Sequence, residues 1–165
     1  AALGNRTPIV RTMPNTPAMV GRGITGICAN TYAGAEGLAL ARELMRAVGQ
    51  VVELDGEHQI DAVTAVSGSG PAYVFHLVEA MAAAGMAEGL SPEVAMQLAR
   101  ATVCGAGELA YQSPEPASQL RINVTSPGGT TAAALAVLMD EAAGFPPLLR
   151  RAVKAAADRG RELGK

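Results

Sequence analysis

Tryptophan is absent from this chain, and two phenylalanines and three tyrosines make up its whole aromatic complement. So few rings give no aromatic interleaving of the kind that speaks for a nucleic-acid surface. Core bulk must come from Leu, Val, Ile and Met instead. Only two cysteines occur, Cys28 and Cys104. They fit no disulfide framework, so both read as buried thiols in a reducing, cytoplasmic setting. No cluster of His, Cys and Asp has metal-ligand spacing, so no metal is expected. No apolar run approaches the roughly 20 residues that cross a bilayer, and no secretory pattern opens the sequence. Basic and acidic side chains number 13 and 15, a formal charge of −2, and they are interspersed. No basic stripe therefore marks a nucleic-acid surface.

What is present in quantity is alanine and glycine, with 19 glycines in 165 residues. The length is that of about one domain, enough to bury a core. The most informative stretch is Ser126-Pro127-Gly128-Gly129-Thr130-Thr131. It sets two glycines and three hydroxyl side chains ahead of an apolar helix expected to begin near Ala132. Glycine allows close backbone approach and positive φ. A helix start offers unpaired N–H donors and the positive end of the helix dipole. Such a start suits a carboxylate or phosphate. A second segment, Ser67-Gly68-Ser69-Gly70-Pro71, reads as a similar turn before another apolar helix. Plain capping by Ser, Thr and Pro explains either stretch equally well on its own.

The segment from Pro8 to Asp55 reads as α/β. Runs at Ile9 to Met13, Ile24 to Cys28 and Gln50 to Leu54 predict three strands. Residues 34–48 have helical spacing, with Leu38, Ala41, Leu44, Met45 and Val48 on one face and Gly49 as the stop. A parallel or mixed sheet of three strands with one helix lacks shelter on a face. Part of the sheet's cover is therefore expected to lie N-terminal to Ala1, the chain being a piece of something longer. From Glu57 onward the pattern is helical. Helices are expected from Pro71 to Met86, from Pro92 (capped by Ser91) to Tyr111, after Thr131, and from Pro146 or Pro147 to Leu163. The first is apolar on nearly every side, as a buried helix is. Ala101, Gly105 and Leu109 form a small-residue contact stripe, as do Ala152, Ala156 and Gly160. This much apolar surface in about a hundred residues predicts an obligate dimer with intertwined helices.

Three motifs in order, Met13-Pro14-Asn15-Thr16-Pro17, Asp61 to Tyr73 and Val124 to Thr131, resemble those of pyrroline-5-carboxylate reductases across essentially the whole chain. The resemblance implies an α/β remnant of a Rossmann-type sheet over residues 1–56. A helical dimerisation and substrate-binding domain of the 6-phosphogluconate-dehydrogenase-like C-terminal type would follow over 57–165. It implies reduction of 1-pyrroline-5-carboxylate to L-proline by hydride transfer from NADPH or NADH, the last step of proline biosynthesis, and a homodimer with further assembly into a decamer. By the same resemblance Ser126, Gly128, Gly129, Thr130 and Thr131 hold the substrate carboxylate, with Gly129 and Thr130 N–H as donors. Thr131 is the catalytic hydroxyl beside the ring nitrogen. Met13, Pro14, Asn15 and Thr16, with Ser69 and Asn123, border the cofactor. One departure stands out: the G-x-G-x-x-G turn that joins strand to helix in the first βα unit is absent, so the pyrophosphate cradle of a Rossmann unit is missing. That puts activity of this stretch alone in doubt.

Two rival readings remain open at this stage. One is a non-catalytic helical oligomerisation module, which cofactor binding would separate from an enzyme. The other is a different Rossmann-type imine or hydroxyacid reductase, which a substrate panel would separate. His76 and Glu79, one turn apart, read as a structural surface pair. His58 reads as solvated.

Overall fold

A computed structural model describes residue 4 and residues 6–164. They form two compact bodies, one of residues up to Pro71 together with 152–164, the other Ala72–Arg151.

The first body is built on a mixed three-stranded sheet in the order β1-β2-β3, comprising β1 (Val10–Met13), β2 (Gly23–Ala29) and β3 (Gly49–Glu53). β1 runs antiparallel to β2, which runs parallel to β3. A 3-10 turn over Thr16–Val20 carries the chain from β1 to β2, and α1 (Gly34–Arg46) makes the crossover to β3. Side chains alternate across a strand, and each face takes a different cover. Thr25 and Ile27, 2% and 0% exposed, share a face with Val10, against which Gly37 of α1 packs. Gly26 turns to the other face and meets Val63 of α2 (Ile60–Val63). An Arg42–Glu53 ion pair ties α1 to β3, and an Arg11–Glu57 pair ties β1 to the approach to α2. All four side chains are more than a third exposed, so each pair contributes at most about 1 kcal/mol.

The second face is thus covered only in part, by residues that the sequence pattern assigned to the helical part, and Val52 on it stays 42% exposed. Gly49 does not stop α1, which ends two residues earlier at its C-cap Ala47; Gly49 opens β3. The last stretch of α7 (Phe145–Leu163) belongs to this body, and its Gly160 backbone lies against the Asp61 carboxylate. On that stretch Lys154 donates to Asp158 at 2.6 Å, which with Arg161 holds the Asp158 carboxyl below the usual carboxylate range.

The second body holds most of α3 (Gly70–Ala87), then α4 (Pro92–Gln112), α5 (Ala117–Asn123), α6 (Thr130–Leu138) and the start of α7. α5 was not expected. Its seven residues are too few to show a period. Ser91 caps α4 through Val94 N–H at 3.3 Å, with Pro92 in the first turn. The core here is small: Ala82 of α3 against Ala95 and Ala99 of α4, with Val78 beside them. Within one chain the expected stripe meets nothing: Ala101, Gly105 and Leu109 are exposed, and a Cβ on Gly105 would stand in open space. Cys104 is exposed too, unlike buried Cys28, because it lies off the Ala95–Ala99 stripe. Within one chain α3 is not a buried helix, for Phe75 is 65% exposed and Ala82 alone is buried.

Candidate functional site

Ser126-Pro127-Gly128-Gly129 closes a turn in which Gly129 N–H donates to the Ser126 carbonyl at 3.0 Å. Proline at the second position and φ of +69° at Gly128 are the requirements of a type II turn. The turn delivers Gly129 as N-cap of α6 in extended conformation, its carbonyl accepting from Ala133 N–H at 3.2 Å. No side chain caps this helix. The N–H groups of Thr130, Thr131 and Ala132 are therefore the unpaired donors of its first turn. This shifts one expected role. Gly129 N–H is engaged inside the turn and is no donor, whereas Ala132, which sequence reading missed, is one. Counting positions from the N-cap would have found it. Thr131 is half-buried and Thr130 exposed, so an anion here is reached from solvent. Three converging N–H groups and the positive helix end favour a small carboxylate.

The Ser67–Pro71 segment is not a second cradle. Thr64–Gly68 is a π-helical turn running between α2 and α3, with Ser69 N–H donating to the Thr64 carbonyl at 2.8 Å. Hydroxyls of Thr64 and Ser67 bond back to the carbonyls of Ile60 and Val63, at 2.8 and 3.0 Å. Back-bonding hydroxyls loosen the α ladder, and Pro71 brings no N–H to it. Both favour the wider turn. The sequence reading took hydroxyls before a proline for a cap, because the spacing is the same. Ser69 is half-buried at the end of this turn.

Met13, Pro14, Asn15 and Thr16 leave β1 in the first body. The Met13 methyl lies against Gly68, where a Cβ would stand 2.6 Å from it. This body thus brings the Met13 loop and the Ser67–Gly70 segment together. Asn123 and Ser126–Thr131 belong to the second body. Asn123 is engaged on both sides of its amide, donating to Glu115 at 3.0 Å and accepting from Gln119 at 2.8 Å. His76 and Glu79 form a 3.0 Å pair with side chains 81% and 69% exposed, and His58 is exposed. Among the described residues no group of three acidic, His or Cys side chains is placed to hold a metal, and no helix is long and apolar enough to cross a membrane.

A short mixed sheet followed by helices is an arrangement this chain shares with solved reductases. Residues 57–163 match the family model described as pyrroline-5-carboxylate reductase dimerisation. A pyrroline-5-carboxylate reductase of Synechocystis sp. is 50% identical over 157 residues, which are 95% of this chain and 58% of that protein. The Pseudomonas aeruginosa enzyme of the same name is 47% identical over 165 residues, all of this chain and 60% of that one. Among solved structures, a pyrroline-5-carboxylate reductase from Coxiella burnetii superposes with a TM-score of 0.92 at 44% identity, covering 99% of this chain and 60% of that one. The Plasmodium falciparum reductase, solved with NADP bound, gives 0.82 at 34% identity, covering 98% and 64%. The chain belongs to the pyrroline-5-carboxylate reductase family. It spans about 60% of the length of these relatives.

Proposed function

We propose that this chain supplies the substrate-holding and self-associating part of a cytoplasmic enzyme that reduces 1-pyrroline-5-carboxylate to L-proline with NADPH or NADH, the last step of proline biosynthesis. Residues 1–56 are then the end of its dinucleotide-binding domain and 57–165 its dimerisation and substrate domain. The observation that carries this reading is the uncapped start of α6, with three unpaired N–H groups behind a type II turn.

The substrate carboxylate takes the N–H groups of Thr130, Thr131 and Ala132, with the Ser126 hydroxyl beside them. Gly128 lets the turn close so that Gly129 adds no side chain against the ligand. Fixing the carboxylate leaves the ring one face to present, and such orientation supplies much of a rate. The Thr131 hydroxyl hydrogen-bonds the ring nitrogen and delivers or relays its proton, so that hydride meets an iminium carbon. A reduced nicotinamide supplies that hydride when bound. Uncharged Met13, Pro14 and Thr16, with Ser69, suit its neutral ring. Asn123, already shared between two partners, is the least free of the residues on that side. The glycine spacing at Gly21, Gly23 and Gly26 runs into β2 rather than a helix, so among the described residues no strand-to-helix glycine turn offers a pyrophosphate cradle.

Open apolar side chains on the second body, Val74 and Phe75 of α3, Leu98 and Leu109 of α4 and Val137 of α6, support an intertwined homodimer, taken in this reading as the unit of a decamer. The test joins this chain in frame to the N-terminal dinucleotide-binding segment of the Pseudomonas aeruginosa relative. Oxidation of NADPH dependent on 1-pyrroline-5-carboxylate, and not on 2-oxo acids, is expected. A folded, cofactor-binding chimera inactive with every imine would leave the oligomerisation module as the better reading.

A further inference from the structure

The β1–β2 ladder stops at Met13 opposite Gly26 and, at its other end, at Val10 opposite Ala29. In an antiparallel pair, hydrogen-bonded pairs alternate with non-bonded ones. Carried past Met13–Gly26 to the next bonded pair, the register sets residue 15 opposite Ile24, whose N–H would take the main-chain carbonyl of residue 15. That carbonyl has turned away and accepts instead from Ala18 N–H at 3.2 Å, opening the 3-10 turn. The rung is nonetheless filled: Ile24 N–H donates to Asn15 Oδ1 at 3.0 Å. The other end repeats the device. Asn30 N–H donates to the Ile9 carbonyl at 3.0 Å, and Ile9 N–H donates to Asn30 Oδ1 at 3.1 Å. A side-chain carbonyl thus replaces a main-chain one at each end of β1.

At the Asn15 end this substitution has a consequence for the site. The backbone can leave the sheet directly after Met13, at Pro14, while the Ile24 N–H of β2 keeps an acceptor. Met13 then reaches Gly68. Asn15 itself is half-buried, with its oxygen committed to β2.

We propose that Asn15 is a positioning residue: its side-chain oxygen completes the β1–β2 ladder and fixes where the Met13–Pro14 loop leaves the sheet, so it acts on the nicotinamide side through that loop rather than by touching the cofactor. This rests on the proposed reductase reading for its effect on catalysis, but not for the ladder itself. Two variants separate the roles. Asn15→Leu keeps the bulk and removes the acceptor. Asn15→Asp keeps the acceptor and removes the NH₂ donor.

In the 165-residue chain, amide exchange at Ile24 is expected to speed up by about tenfold in Asn15→Leu, the worth of one hydrogen bond, and to stay slow in Asn15→Asp. In the chimera, Asn15→Leu is expected to lower kcat by about tenfold or more while leaving the KM for 1-pyrroline-5-carboxylate unchanged, and Asn15→Asp is expected to recover most of kcat. Equal protection of Ile24 in all three proteins overturns the ladder. An Asn15→Asp chimera as impaired as Asn15→Leu, with Ile24 still protected, overturns positioning in favour of direct contact through Nδ2. An inactive parent chimera counts against the reductase reading, and the exchange measurement then decides the ladder independently.

Discussion

The two glycines of the Ser126–Thr131 stretch look equivalent in sequence, and the structure separates them. Gly128 sits at φ of +69°, and a Cβ added there meets no atom within 4 Å. The whole cost of Gly128→Ala is therefore backbone strain, about 1–2 kcal/mol for an L-residue in the left-handed region. The lower entropy of the unfolded chain offsets roughly 0.4–1 kcal/mol of it. The net is about 1 kcal/mol, or roughly a fivefold fall in the ratio of formed to open turn. Gly129 has an ordinary φ of −81°, and a Cβ there meets the Ser126 carbonyl oxygen at 3.2 Å, a contact a small shift relieves. Titration of the chain with L-proline, followed by amide shifts of Thr130, Thr131 and Ala132, should give a Kd weaker by up to about fivefold for Gly128→Ala and less affected for Gly129→Ala. Urea midpoints report whether global stability has moved by more than the same amount. A larger loss for Gly129→Ala than for Gly128→Ala would show that the turn does not order the donors. Shifts centred away from α6 would remove the cradle.

Three further outcomes follow from the same geometry. Thr131→Val should lower chimera turnover on the order of 10²-fold with an unchanged melting temperature, since the hydroxyl caps nothing; an unchanged rate takes Thr131 out of the chemistry. Gly105→Leu should turn a dimer into a monomer in sedimentation equilibrium without loss of helicity, since Gly105 faces open space in one chain; a variant as dimeric as its parent places the interface elsewhere. Burial, aided by Glu57 and opposed by Arg11, pushes the Cys28 thiol up, so less of it is thiolate at neutral pH and its maleimide labelling should keep rising above the pH where a free thiol levels off; a rate matching a free thiol at neutral pH contradicts that burial.

What could be read in advance divides along the range of the interactions involved. Strands and long helices were legible because their patterns are local: Ile24 to Cys28 is a short run rich in β-branched residues, and Ser91-Pro92-Glu93 announces α4 in three residues. The α6 start was legible for the same reason, since Pro127 and Gly128 demand their own turn type. The misreadings share the opposite cause. Whether Cys104 or Gly105 is covered depends on which stripe of α4 meets α3, and Ala95 with Ala99 is as plausible in sequence as Ala101 with Gly105. Ser67 looked like a cap because a hydroxyl ahead of proline is compatible with two hydrogen bonds, one forward to an N–H and one back to a carbonyl four residues earlier. Only the packed turn selects the second. Asn15 carries the point furthest. Its motif marked it as polar and near a ligand, yet the atom that decides its part is Ile24 N–H, nine residues on, and that partner exists only once β1 and β2 are in register. A site residue's type is local information, whereas the choice between holding a ligand and holding the frame around it is made by the fold.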